Sequence, residues 1–369
     1  MERGMTKPSP RPGLLDIAPY VPGKGAGTKA GPVYKLSSNE SALGPAPSAA
    51  RVLAEAAAHA HRYPDGDAKA LKAGLAALHG MEETRIVVGN GSDELLSFMV
   101  RSYTLPGDEV LMTRHGFSYY PLAARAEAAV PVMAGERDLT ADVDTLLAAV
   151  SEKTRVLFLA NPNNPTGTLL PAAELRRLRR ELPAGVMLVL DGAYAEYVER
   201  EDYDAGRALI EEAAEAGDDN VVMTRTFSKI YGLGGLRVGW LYGPSSVTGV
   251  LNRVRGPFNA NALGLAAAAA ALEDRDFVAR NRAHNRAEMA RMAEELEGLP
   301  FRVRTTEANF ILLEMKDEAE ARAMLAHQEE AGVLLRGLAS SNLPQFVRVS
   351  VGPGEANDAF LAAAKSFAS

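Results

Sequence analysis

The chain reads as an α/β protein: a large domain on a mostly parallel, mixed sheet flanked by helices, followed by a smaller α+β domain. Three observations predict this. Short apolar runs that stop abruptly at polar residues (156–160, 186–190 and 221–223) alternate with helix-length segments; such runs are strands buried on both faces, the signature of parallel sheets. The connections between them are long enough for crossover helices. Finally, 369 residues exceed one ordinary core, and after about Gly256 the pattern changes to long alanine-and-charge helices with short strands near 310–313 and 346–351. The expected division is a disordered tail (1–15), an N-terminal arm (16–46), a large domain (47–255) and a small C-terminal domain (256–369).

In chain order, residues 16–24 (D-I-A-P-Y-V-P-G-K) are punctuated by proline and cannot be helical. An alanine-rich helix is expected from Pro47 to His61, with Pro47 at its start. Residues 62–66 (R-Y-P-D-G) set up a turn. Asp67 can then cap a helix running to about Leu78. A β-branched strand at 86–88 leads through Gly89-Asn90-Gly91-Ser92-Asp93 into an apolar helix, 95–103. Strand, glycine turn and helix N-terminus make an anion site from free amides, although Ser92 and Asp93 could instead cap the helix.

Strand 109–112 and helix 119–127 follow, then strand 130–133, an edge strand because it contains Pro131. Between the first two lies H-G-F-S-Y-Y, 115–120, whose rings commonly belong to a core. Further strands are expected at 154–160, 187–190, 221–224 and 238–242, joined by parallel crossovers. The helix 171–182 between the first two of these carries a solvated basic face. The alanine-rich run 262–272 is too short to span a bilayer and reads as a buried helix that lets backbones approach closely.

Composition narrows the function. Hydrophobic residues are 47% and charged residues 24%, ordinary for a soluble globular protein. A net charge of -7 argues against nucleic-acid binding. The absence of cysteine excludes disulfides and thiolate metal sites, and the six histidines show no pair at metal spacing, so no metal is expected. Residues 1–13 lack an apolar h-region, which makes a cytoplasmic protein the expectation.

Candidate chemistry gathers at strand ends, where α/β sheets place their ligands. N-P-N-N-P-T-G (161–167), D-G-A-Y (191–194) and T-R-T-F-S-K-I-Y-G-L-G-G-L-R-V-G-W (224–240) each follow an apolar run. Thr226, Ser228 and Arg237 suit a phosphate, and Lys229 among them is a solvated surface lysine when taken alone, or in this company another phosphate ligand or a nucleophilic amine. Arg348 lies within an apolar strand, where a charge must be paired or functional. Arg336 is a second candidate anion ligand or a surface salt bridge.

The order and spacing of these motifs resemble the fold-type I, pyridoxal-phosphate-dependent aminotransferases, and within them the histidinol-phosphate aminotransferase-like group, from about Asp16 onward. The resemblance implies the pyridoxal-phosphate transferase fold, with pyridoxal 5′-phosphate held by Lys229 as a Schiff base. It implies Asp191 on the pyridine nitrogen, Asn164 and Tyr194 on the 3′ oxygen, and Phe117 stacked on the ring. Ser92 and Asp93 amides, Thr226, Ser228, Arg237 and Tyr63 from a partner subunit hold the phosphate; for Tyr63 the alternative is packing beside Pro64. Arg348 and Asn164 face the substrate; Arg336 and a partner's Tyr20 take a substrate phosphate, unless residues 16–24 are simply an extended arm. Ser41-Ala42 stands where the family commonly has Asn-Pro, and His115-Gly116 where it has Pro-Thr.

The implied enzyme is a homodimer that converts histidinol phosphate and 2-oxoglutarate to imidazole acetol phosphate and glutamate. It binds a small-molecule amino donor and a 2-oxo acid, with no nucleic acid and no membrane as partner. Three rivals use overlapping features: an aromatic amino acid aminotransferase on the same scaffold, a pyridoxal-phosphate lyase or decarboxylase, and a dinucleotide-binding oxidoreductase. The last reads Gly232-Leu233-Gly234-Gly235 as its phosphate loop, but that segment lacks the G-x-G-x-x-G spacing.

Overall fold

The computed structural model describes residues 10–11, 13–17 and 32–368. Its larger sheet has seven strands: β1 (Ile86–Gly89), β2 (Glu109–Thr113), β3 (Val130–Ala134), β4 (Thr154–Ala160), β5 (Met187–Asp191), β6 (Val221–Thr226) and β7 (Gly239–Tyr242). Their spatial order is β1-β7-β6-β5-β4-β2-β3. Every strand except β7 runs the same way, so the carboxyl ends of β1, β2, β4, β5 and β6 share one edge.

The central strands β4 and β5 are largely apolar because both of their faces are covered. Leu157 and Leu159 of β4 enter one core cluster while Val156 and Phe158 enter another; Leu188 and Leu190 of β5 oppose Met187 and Val189 in the same manner. The proline-containing β3 does lie at the sheet edge, with Val130 48% and Met133 43% exposed.

Three expectations need correction. The connection from β6 to β7 contains only a 3-10 turn, Gly234–Leu236, and β7 returns antiparallel to both neighbours. Without a crossover helix the chain cannot reach a parallel position. The first helix is Pro47–Ala57 and unwinds before His61; the backbone ahead of Pro64 is biased to extended conformations. Asp65, not Asp67, satisfies the start of the next helix, Lys69–His79: its carboxylate accepts from the amides of Asp67 (3.0 Å) and Lys69 (2.9 Å).

The helix Ala262–Glu273 packs closely, as its small residues suggest: a Cβ on Gly264 would lie 2.9 Å from the Leu236 carbonyl. A four-stranded antiparallel sheet follows, built from β8 (Arg302–Arg304), β9 (Phe310–Glu314), β10 (Arg336–Leu338) and β11 (Leu343–Ser350), in the order β8-β9-β11-β10. One of its faces, with Ile311, Leu313, Val347 and Val349, buries Leu36, Met292 and Phe360. Phe310, Leu312 and Phe346 on the other belong to a core shared with the large sheet.

Tyr34–Lys35 pairs in parallel with Val333–Leu334, which delivers residues 36–40 to the carboxyl edge of the large sheet. Tyr20 lies outside the described residues. Among the described residues no helix is long and apolar enough to cross a membrane, and no cluster of His, Asp and Glu could hold a metal ion.

Candidate active site

Asp191 ends β5 and lines a cleft at the sheet edge together with Asn164, Tyr194 and Lys229. Only 4% of Asp191 is exposed. Tyr120 Oη donates to one carboxylate oxygen at 2.9 Å and Thr224 Oγ1 to the other at 3.3 Å. Burial pushes its pKa up to about 6, against the lowering effect of the Tyr120 hydrogen bond, and nearby Asp93 adds to the rise. Both hydroxyl partners are neutral. A carboxylate buried in that setting is stabilised by any cationic group that docks against it.

Lys229 lies on the turn after β6 and reaches into the same cleft. Its Nζ is 3.5 Å from the Ser38 carbonyl and 5.6 Å from the centre of the Tyr194 ring. The amine is therefore held loosely, by one long hydrogen bond and a ring face. Tyr194 is 2% exposed, and its Oη accepts from Asn39 Nδ2 at 2.8 Å.

A polar cradle closes one end. Arg237 Nη1 donates to Ser228 Oγ (3.1 Å) and the Gly234 carbonyl (3.0 Å), while Nη2 reaches Asp93 at 3.3 Å. Thr226 Oγ1 is 2.9 Å from Ser228 Oγ. Arg237 holds φ 54, a left-handed conformation that costs a non-glycine residue energy and aims this guanidinium at the helix start. That helix is Ser92–Tyr103, three residues earlier than the apolar run suggests. Its N-cap is Gly91 with no side-chain cap, so neither Ser92 nor Asp93 caps it. Two glycines permit the approach: a Cβ on Gly91 would lie 2.4 Å from Arg237 Nη2, and one on Gly239 would lie 2.3 Å from the Ser92 amide. The result is a concave set of helix-end amides, hydroxyls and one guanidinium, the chemistry of a phosphate site.

A second chamber opens beside the first and shares Phe117, Asn164 and Lys229 with it. Asn164 sits on the turn after β4, whose Asn161–Pro162 and Asn164–Pro165 bonds are both cis. Arg348 of β11 is 8% exposed; Nη1 donates to Asn164 Oδ1 at 2.6 Å and Nη2 to the Ser37 carbonyl at 2.8 Å, with the guanidinium 5.4 Å from the Phe310 ring centre. Arg336 of β10 stands directly across from Arg348 in register and lines the same chamber. Two guanidinium-bearing residues thus border one space next to Lys229.

The structure therefore brings together Ser92, Asp93, Phe117, Asn164, Asp191, Tyr194, Thr226, Ser228, Lys229 and Arg237, with Arg336 and Arg348 adjoining. It does not bring Tyr63 there: that side chain is 83% exposed and stacks on Phe258, centroids 4.8 Å apart. Sequence reasoning misses Tyr120, Thr224, Asn39 and Ser37. Thr224 carries a usable signal, since it lies two residues before Thr226 on the same strand face. Tyr120 is three residues after Phe117, one helical turn away. Asn39 and Ser37 give none, because their partners are remote in sequence.

The family described as aminotransferase class I and II matches residues 32–364. The chain is 48% identical over 363 residues to a histidinol-phosphate aminotransferase of Ruegeria pomeroyi, covering 98% of this chain and 99% of that one. A histidinol-phosphate aminotransferase of Paramagnetospirillum magneticum is 48% identical over 365 residues, with the same coverage. Among solved structures, the histidinol-phosphate aminotransferase of Sinorhizobium meliloti in complex with pyridoxal-5′-phosphate superposes with a TM-score of 0.85 at 29% identity, covering 91% of each chain. The aspartate aminotransferase of Thermus thermophilus, 21% identical with a TM-score of 0.79 over 91% of each chain, shares the fold. With the family match spanning residues 32–364 and 48% identity to relatives covered almost in full, this chain belongs to the class I and II aminotransferases.

Proposed function

We propose that the protein transfers the amino group of histidinol phosphate to 2-oxoglutarate, giving imidazole acetol phosphate and glutamate, with pyridoxal 5′-phosphate as cofactor. The observation that carries this is a pair of adjoining chambers sharing Lys229, one lined by Asp191 and a cradle of phosphate character and the other by a pair of arginines. The near-full-length relatives named for this reaction support it.

The residues fit the cofactor chemically. The Ser92 and Asp93 amides, Thr226, Ser228 and Arg237 would take its phosphate. Asp191, buried with the neutral hydroxyls of Tyr120 and Thr224 and the Ala193 amide as partners, would take its cationic ring nitrogen. Asn164 and Tyr194 would donate to its 3′ oxygen, Phe117 would cover its ring, and Lys229 would hold it covalently. When bound, the cofactor supplies an electron sink that stabilises negative charge on the amine-bearing carbon. Once the substrate amine has taken its place, the freed Lys229 Nζ would take the proton from that carbon. Asp191, as a carboxylate beside the ring nitrogen, would keep that nitrogen protonated.

Arg348 would bind the α-carboxylate of glutamate and the phosphate of histidinol phosphate in turn, with Arg336 added for the phosphate. An aromatic amino acid donor has a carboxylate alone and gains nothing from the second cation. Steady-state kcat/KM for histidinol phosphate, phenylalanine and tyrosine tests the choice. Histidinol phosphate is expected to lead by roughly a hundredfold, the worth of one or two charge-assisted hydrogen bonds. An advantage for the aromatic donors would assign the enzyme to them instead.

We also infer a homodimer with shared sites. Tyr63 and Phe258 form an exposed aromatic stack, and Tyr63 opens onto a groove bordered by Ala262, Leu265, Ala266 and Ala269. An exposed aromatic beside an apolar groove marks an interaction surface. Mixing Lys229→Ala with Tyr63→Phe subunits under exchange conditions pairs one doubly damaged site with one intact site if Tyr63 crosses to the other subunit. Activity is expected to rise above either parent. No rise, with exchange demonstrated, removes Tyr63 from the partner's site.

A further inference from the structure

Asn39 is a buried residue where three parts of the chain meet. It is 1% exposed and holds φ 54, a left-handed conformation that asparagine tolerates better than most residues with a Cβ. Its carbonyl accepts from Asn309 Nδ2 at 3.1 Å. Its backbone N–H donates to Ser350 Oγ at 2.8 Å, and Ser350 Oγ donates back to Asn39 Oδ1 at 2.9 Å.

That exchange fixes the amide. The Ser350 hydroxyl accepts from the backbone, so its single proton goes to Oδ1, and Nδ2 must point the other way. There it donates to Tyr194 Oη at 2.8 Å. A phenol has one proton to give, and its direction depends on where its oxygen already accepts. We infer that Asn39 is a positioning residue: its side-chain N–H fills the acceptor position of Tyr194 Oη and commits the phenolic proton to the cleft that Asp191 and Lys229 line. The inference rests on the proposed role of Tyr194 as a donor to the cofactor's 3′ oxygen. The charged groups lining the cleft with Tyr194 are Asp93, Asp191, Lys229 and Arg237, and all are kept in the test.

The test loads Asn39→Gly, Ser350→Ala, Tyr194→Phe and the two double variants with pyridoxal 5′-phosphate. It records the pH midpoint of the visible absorption band, and the cofactor Kd by equilibrium dialysis of the apoprotein. Glycine accepts the positive φ without strain. Ser350→Ala frees the amide from a distance and serves if Asn39→Gly does not fold. An oxygen that loses a donor carries more negative charge and retains a neighbouring proton to higher pH. Tyr194→Phe is therefore expected to raise the midpoint by ~1 pH unit, about one net hydrogen bond.

Asn39→Gly and Ser350→Ala are expected to raise it by a smaller amount in the same direction, and cofactor Kd by up to about fivefold. Neither adds a further shift in the Tyr194→Phe background, a dependence that a merely structural role would not show. The inference is overturned if both leave the midpoint unchanged while Tyr194→Phe moves it, or if their shifts persist in full without the phenol. An unmoved midpoint in Tyr194→Phe itself removes the proposed role of Tyr194, and the inference with it.

Discussion

Lys229→Ala is expected to lose both transamination and covalent attachment of the cofactor. Lys229 is the lysine that lines both chambers, and its Nζ is held only by a 3.5 Å contact to the Ser38 carbonyl and the Tyr194 ring face. An amine so weakly tied is free to form a covalent bond and to act as a base. Alanine removes both capacities, and turnover should fall by at least ~10⁴-fold, the upper range for losing a positioned base, with the covalent anchor lost besides. The cradle of Ser92, Thr226, Ser228 and Arg237 is untouched, so the variant should still bind pyridoxal 5′-phosphate reversibly. Borohydride reduction followed by mass spectrometry of peptides checks the assignment. Wild-type protein should carry a reduced adduct on Lys229 and the variant none; an adduct on any other lysine would sink it.

How far the sequence reveals this site depends on how locally each part is determined. Asp191, Asn164 and Lys229 each follow closely on an apolar strand, so periodicity alone places them at one sheet edge. Arg348 stands out as a charge in an apolar strand, and the structure pairs it with Asn164 and the Ser37 carbonyl. The direction of β7 is not legible in the same way. Connection length permits a crossover, but only a helix of sufficient length between β6 and β7 would produce one.

The arm residues Ser37 and Asn39 are harder still. Their site-facing bonds go to Arg348 and Tyr194, and the second strand that anchors them is only two residues long. No periodic pattern in the arm foretells contacts that depend on how two sheets are set against each other. The stack of the exposed Tyr63 on Phe258 shows a related limit, because the two rings lie far apart in the chain.

Arg348→Ala is expected to damage both half-reactions. The two substrates offer different anions, a carboxylate on glutamate and a phosphate on histidinol phosphate, and Arg348 faces the chamber next to Lys229 where either would lie. Arg348 is only 8% exposed, so an anion meeting it is largely desolvated and the contact is strong. Breaking a buried charged contact of this kind costs roughly 2–5 kcal/mol, or about 30- to several-thousand-fold in each half-reaction. Arg348→Lys should recover only part of this, because an ammonium cannot reproduce the paired bonds to Asn164 and the Ser37 carbonyl while also meeting an anion. Arg336→Ala separates the two anions. It stands across the strand pair from Arg348, and its loss should weaken histidinol phosphate while leaving glutamate nearly unchanged. Single-turnover cofactor spectra, recorded with each amino donor separately, measure these effects without mixing the half-reactions. If Arg348→Ala impairs one donor and spares the other, the two substrates do not share that guanidinium. The chamber must then hold them in different orientations.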